Sequence, residues 1–265
     1  MRLALLLLST FSTAFLSAAD TPQLTLEEKE VFLKSAKIVS SKAAKGGITG
    51  STRATLSDGR ITHDAHIQIV DEAKARFEGT RGVEINFRDS YKFNIAGYRL
   101  AKLLHINMVP PSVARNYQGK EAAFTWWVDD VMFDEAARIK QKAAAPDVDR
   151  WNRQMHVVRL FDQLIYNTDR NLGNLVITKA WDIWMIDHTR AFRLSRDLLN
   201  VKNLVQCDRA LLAELKKLSA PAVKKAVDGS LTDTEISSLL HRRDKIVKLF
   251  EAAGDGALFS MEPRP

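Results

Sequence analysis

The chain has 265 residues, 46% of them hydrophobic and 27% charged, which excludes a disordered or collagen-like polypeptide and leaves material for one substantial domain or two lobes. A single cysteine, Cys207, excludes an intrachain disulfide, so the fold has to rest on its apolar core. The formal net charge of +7 favours anionic partners, yet the basic residues are spread without a block of five or more, which argues for a solvated surface and against a nucleic-acid face.

Residues 1–19 carry Arg2 as their only charge, two apolar runs around Leu5 and Phe15, and the small residues Ser17, Ala18 and Ala19 before Asp20. This is the pattern of a secretory signal peptide, and Ser9, Thr10, Ser12 and Thr13 interrupt it too often for a comfortable membrane span. The expected mature chain starts at Asp20, has no transmembrane span, and is periplasmic, secreted or held in a secretory lumen. It keeps 38 basic against 32 acidic residues, a net charge of +6.

Thr25 and Glu28 form a capping box that opens a helix to about Ile38, within an N-terminal segment 20–39. Gly46, Gly47 and Gly50 make residues 45–52 too glycine-rich for a helix, and residues 53–56 are extended up to the turn Ser57-Asp58-Gly59. Over 60–70, Ile61, His63, Ala65, Ile67 and Ile69 alternate with Thr62, Asp64, His66 and Gln68, the period of a half-buried strand. Residues 83–87 make another strand. The spacing over 90–105 turns helical, with Phe93, Ala96, Gly97, Leu100, Leu103 and Leu104 on one side, and Pro110-Pro111 prevents continuation. A last strand over 121–127 closes a half made of sheet plus one helix.

Residues 128–255 are expected to be largely helical, beginning with the helix formers after Asp129-Asp130. A helix over 151–166 empties into Asn167-Thr168-Asp169-Arg170-Asn171, and a hairpin follows, with strands 175–177 and 183–186 around a turn at 179–182. Two more helices are expected near 208–218 and from Thr232, capped with Glu235, to about Gly254, with 256–265 as a tail.

The informative stretch is Asp169-Arg170-Asn171-Leu172-Gly173-Asn174, an Asp and, five positions on, an Asn, at the spacing of a kinase catalytic loop. Asp187 stands thirteen residues after Asn174, at the end of the second hairpin strand. Two strands joined by a short turn return Asp187 to the level of Asn174, so both can face one hard cation, Mg²⁺ or Mn²⁺, while Asp169 is left for a substrate hydroxyl. Phosphoryl transfer needs such a set because its barrier falls mainly through positioning and charge neutralisation. The same residue types also suit a helix-terminating loop and a strand-end turn. Other chemistries find less support: His63 and His66 fall on opposite strand faces, and there is no paired-Cys spacing, no His-Glu-x-x-His and no nucleophile elbow. The five Trp residues read as packing and not as base-stacking platforms.

Together with Ile186-Asp187, the stretch 169–174 resembles the Asp-Arg-His-x-x-Asn and Ile-Asp-Phe-Gly pair of phosphatidylinositol kinases. It is also similar to HipA-like kinases and to Golgi casein-kinase (secretory-pathway) kinases, in which the metal-binding Asp precedes a segment like Asp187-His188-Thr189-Arg190-Ala191-Phe192. The resemblance implies an atypical kinase: an α+β, bilobal protein-kinase-like fold with an antiparallel N-lobe sheet plus one helix over 40–127 and a mainly helical C-lobe over 128–255. It implies Asp169 as catalytic base, Asn174 and Asp187 as metal ligands, ATP or another nucleotide as co-substrate, and a hydroxyl of a protein, sugar or lipid as acceptor. Gly46, Gly47 and Gly50 would form the phosphate-covering loop, or equally a tight hairpin. Where these kinases place a phosphate-binding Lys and its Glu partner, this sequence offers Gln68 and Asn94. A neutral contact there has about half the strength of a charge-assisted one, with Lys74, Arg53 and Lys92 as candidate substitutes. A pseudokinase acting as a binding or scaffold module is therefore the competing expectation.

Overall fold

The computed structural model describes residues 24–43, 51–79, 82–262 and 264, so the expected signal peptide and Gly46, Gly47 and Gly50 lie outside the described residues. Helix α1 (Leu26–Ser35) opens on the expected capping box, Thr25 Oγ1 accepting from Glu28 N and the Glu28 carboxylate accepting from Thr25 N at 2.8 Å. It ends short of Ile38, because Ile38 and Val39 are β-branched and Ser40 and Ser41 compete with helical hydrogen bonds, and the chain continues as strand β1 (Lys37–Ala43).

Next come β2 (Thr52–Ser57), β3 (Thr62–Gln68), β4 (Asp71–Gly79), β5 (Gly82–Ser90), helix α2 (Lys92–Leu103), β6 (Ser112–Tyr117) and β7 (Lys120–Trp126). Five of these strands make an antiparallel sheet in the order β1-β2-β3-β7-β6, while β4 and β5 form a separate hairpin. Residues alternate across the sheet. Leu56, Ala65, Ile67, Val113 and Phe124 pack with Phe32 and Leu33 of α1, whereas Ala123 faces Tyr91 and Ile95 beside and on α2.

The second half holds β8 (Val131–Asp134), α3 (Glu135–Lys140), α4 (Val148–Ile165), β9 (Leu175–Thr178), β10 (Ile183–Met185), α5 (Arg209–Lys217), α6 (Ala220–Val227) and α7 (Asp233–Ala253). The expectation of helix directly after Asp129-Asp130 is corrected: β8 comes first and joins the expected hairpin in a three-stranded sheet, β10-β9-β8. Helix α6 is an addition to the expected elements, short and with Pro221 in its first turn. Phe93, Ala96 and Leu100 of α2 share one core with Phe161 and Leu164 of α4 and Ile236, Leu239 and Ile246 of α7. α2 thus touches both the sheet and the helical half, which makes it the strut between them.

Candidate active site

Helix α4 ends at Tyr166 in a left-handed conformation, φ 50°, which turns the chain sharply out of the helix. Asn167 then folds back on the helix, its Nδ2 donating to Asp162 Oδ1 at 3.1 Å and its backbone N–H to Asp162 O at 2.9 Å. Asn167 Oδ1 in turn accepts from Asp169 N at 3.1 Å, and Asp169 O accepts from Asn171 N at 2.7 Å and from Asn174 Nδ2 at 3.3 Å. The backbone of Asp169 is therefore fixed on both sides, with its side chain only partly buried.

The hairpin does what its length suggested. β9 and β10 pair Leu175 with Met185, and one step further Ile186 N donates to Asn174 O at 3.1 Å, so Asp187 emerges beside Asn174. Asp187 is exposed and has φ 53°, a left-handed conformation that Asp tolerates better than most residues. Its Oδ1 accepts from Thr189 N at 3.3 Å and Thr189 Oγ1 at 3.0 Å.

Arg170 joins the parts. Its Nη1 donates to Asn174 O at 2.8 Å and to Ile186 O at 2.7 Å, its Nε pairs with Asp162 of α4 at 3.0 Å, and its Nη2 meets His188 Nε2 at 3.0 Å. Burial, aided by the Arg170 charge, holds the His188 imidazole well below its ordinary pKa, so Nε2 is an acceptor for Arg170. His188 sits against Gly97 of α2, with Phe161 of α4 edge-on at 6.0 Å.

The other expected site residues are placed differently from one another. Gln68 is buried, and its Oε1 accepts from Ile69 N at 2.9 Å and Val70 N at 3.2 Å. Asn94 is buried too, and its Oδ1 accepts from His188 N at 2.7 Å, so α2 ties down the segment after Asp187. The three candidate substitute cations are paired with carboxylates: Arg53 with Asp64 at 2.5 Å, Lys74 with Glu72 at 2.8 Å and Lys92 with Asp71 at 3.4 Å. Gly46, Gly47 and Gly50 belong to the β1–β2 connection. Thr52, the first residue of β2, lies across from Ile67, next to His66.

Two residues that interact electrostatically with the candidate site escape a sequence reading. His66 lies within the field of the Asp187 carboxylate, and burial holds its imidazole below its ordinary pKa against that attraction. Arg190 pairs with buried Asp89 at 3.0 Å and stands within the field of Asp169. Burial opposes its charge, but the Asp89 hydrogen bond and the charges of Asp89, Asp169 and Glu84 outweigh burial and hold its proton more tightly than usual. The signal for His66 was its place on the same strand face as Gln68; for Arg190 it was only its place three residues after Asp187.

Two carboxylates and an amide oxygen are hard donors that suit Mg²⁺ or Mn²⁺. Asn174 spends its amide nitrogen on Asp169 O, which leaves Oδ1 as its donor for a metal. Among the described residues no group of three or more His, Cys, Asp or Glu side chains is gathered as a metal site, and none of the helices is long and apolar enough to cross a membrane.

No protein-family model and no curated protein matches the chain in sequence. Solved structures do match. The structure of hydra Fam20 with sugar aligns with a TM-score of 0.66, covering 89% of this chain and 92% of that one at 14% identity. The Golgi casein kinase with Mn/ADP bound aligns with a TM-score of 0.61, covering 89% of this chain and 78% of that one at 12% identity. The chain therefore has the atypical kinase fold, α+β with an antiparallel sheet in its N-terminal half and a mainly helical second half.

Proposed function

We propose that this chain is an exported, divalent-metal-dependent phosphotransferase that moves a phosphoryl group from a nucleotide to a hydroxyl of a protein, sugar or lipid. The observation that carries this reading is the hydrogen-bonded unit in which Asn174 touches Asp169 and Ile186, one residue from Asp187, with Arg170 bracing all of it. Bound Mg²⁺ or Mn²⁺ would neutralise phosphate charge, held by Asp187 and Asn174. Asp169 accepts the proton of the attacking hydroxyl, whose oxygen forms the new bond to phosphorus as the bond to the departing nucleoside diphosphate breaks. The Mn/ADP of the Golgi casein kinase structure supports the metal and the nucleotide. The apolar leader over 1–19 supports export.

One observation favours a second reading, a pseudokinase that binds without transferring. Gln68, where the resemblance puts the Lys, has its oxygen committed to the backbone N–H groups of Ile69 and Val70, and Arg53, Lys74 and Lys92 are all engaged with carboxylates. Thermal unfolding with ATP and Mn²⁺, run beside transfer of labelled phosphate, separates the two. The enzyme reading predicts a metal-dependent rise in Tm that vanishes in Asp187→Ala, and transfer that Asp169→Ala abolishes while binding persists. Binding without transfer in the wild type selects the scaffold, and no shift with any nucleotide overturns the phosphotransferase.

A further inference from the structure

Residues 258–262 are laid along the helical half. Leu258 and Phe259 pair in parallel with Cys207 and Asp208, Met261 N donates to Asp208 Oδ1 at 3.3 Å, and Ser260 O accepts from Arg153 Nη1 of α4 at 3.2 Å. Arg264 then reaches inward, with its side chain only 7% exposed.

Its guanidinium meets four oxygens from three parts of the chain. Nη1 donates to Asn107 O at 3.0 Å, in the connection between α2 and β6. Nη2 donates to Ile183 O at 2.8 Å, at the start of β10, and to Gln154 Oε1 of α4. Nε stands 3.5 Å from Asp182 Oδ1, and the guanidinium lies 5.5 Å from the Trp184 ring centroid. These acceptors are themselves held in place. Gln154 Oε1 also accepts from Ile183 N at 2.9 Å, Gln154 Nε2 donates to Trp181 O at 3.0 Å, and Asp182 pairs with Arg150 of α4 as well. A planar fork of donors matches such a set, and a point-like ammonium does not.

Burial pulls the Arg264 pKa down to about 10, opposed by Asp182 and aided by Arg150, so the group is still charged at neutral pH. A charge is kept inside a protein only where it is paired and hydrogen-bonded, which the four oxygens accomplish. The two strands beside it carry Asn174 and Asp187 at their other end.

We propose that Asn107 O, Gln154, Asp182 and Ile183 O form a guanidinium-binding socket, filled by Arg264, and that its filling holds the β9–β10 hairpin in place. It stands whether or not the chain transfers phosphate.

Methylguanidinium tests the socket, with methylammonium as the control cation. In the full chain carrying Arg264→Ala, millimolar methylguanidinium is expected to raise Tm saturably, and methylammonium is not. Wild type, whose socket is filled, is expected to show no such rise. Hydrogen exchange in Arg264→Ala is expected to be about tenfold faster over 175–185, unchanged over 112–126, and slowed again by methylguanidinium. Arg264→Lys, a milder change that keeps the charge and loses the fork, is expected to fold like wild type and to exchange its hairpin faster. An equal response of wild type and Arg264→Ala to methylguanidinium, a response to both cations alike, or wild-type hairpin exchange in both variants would each overturn the proposal.

Discussion

Replacing Arg170 with Met removes the brace of the candidate site. Arg170 and Asp162 form an ion pair with side-chain exposures of only 12% and 11%, so neither charge is well hydrated. Taking away one member of a buried pair costs about 3–5 kcal/mol, mostly because the other charge stays buried without its counter-ion. Asp162 keeps one side-chain partner, Asn167 Nδ2 at 3.1 Å, which puts the expected loss at the lower end, about 3 kcal/mol. In a chain of this size that lowers Tm by roughly 6–12 °C. Urea unfolding of wild type, Arg170→Met, Asp162→Asn and the double variant closes a mutant cycle. The double variant leaves no charge unpaired, so it is expected to be more stable than the sum of the single losses predicts by about 1 kcal/mol or more. A loss under about 1 kcal/mol for Arg170→Met, or additive singles, would refute the idea that this pair holds the loop to α4.

Gly97→Ala gains about 1 kcal/mol in helix propensity, but its Cβ would meet His188 Cγ at 3.2 Å, inside a packed contact. Overpacking of that kind costs about 1–3 kcal/mol, so urea unfolding is expected to show a net loss, and a net gain would contradict the packing described. Asn94→Ala leaves His188 N–H buried without its acceptor and is expected to cost about 1–3 kcal/mol by the same assay. Burial pushes the Cys207 thiol from its ordinary 9.0 up to about 12. The native protein is therefore expected to resist thiol labelling at pH 8 and to react once unfolded. Because the unfolded thiol ionises first, Cys207 stabilises fully below pH 9 and costs stability above it, by roughly 1.4 kcal/mol per pH unit. Cys207→Ala should flatten that slope, and an unchanged slope would contradict its burial.

The parts of the fold that a sequence exposes are those with one-sided burial. β3 alternates, α2 repeats with helical spacing, and both capping boxes occur where Thr and Glu stand three apart. β1 is exposed along its whole length and β4 nearly so, and a strand wet on both faces has no alternation to read. The site divides the same way. Asp169, Asn174 and Asp187 are connected by local chain geometry, a loop and one short hairpin, so their proximity follows from spacing. His66 reaches Asp187 only through sheet and hairpin packing, and the Arg190–Asp89 pair joins residues 101 positions apart. The fate of Gln68 was equally invisible, since its oxygen is taken by the backbone of the next two residues.

In the proposed function Asp187 and Asn174 hold one divalent ion in front of Asp169. Electron paramagnetic resonance of Mn²⁺, titrated into the protein with ADP, counts that ion directly. One Mn²⁺ per chain is expected in wild type and in Asp169→Ala, with affinity lost in Asp187→Ala and reduced in Asn174→Ala. Undiminished Mn²⁺ binding by Asp187→Ala would contradict that role for Asp187.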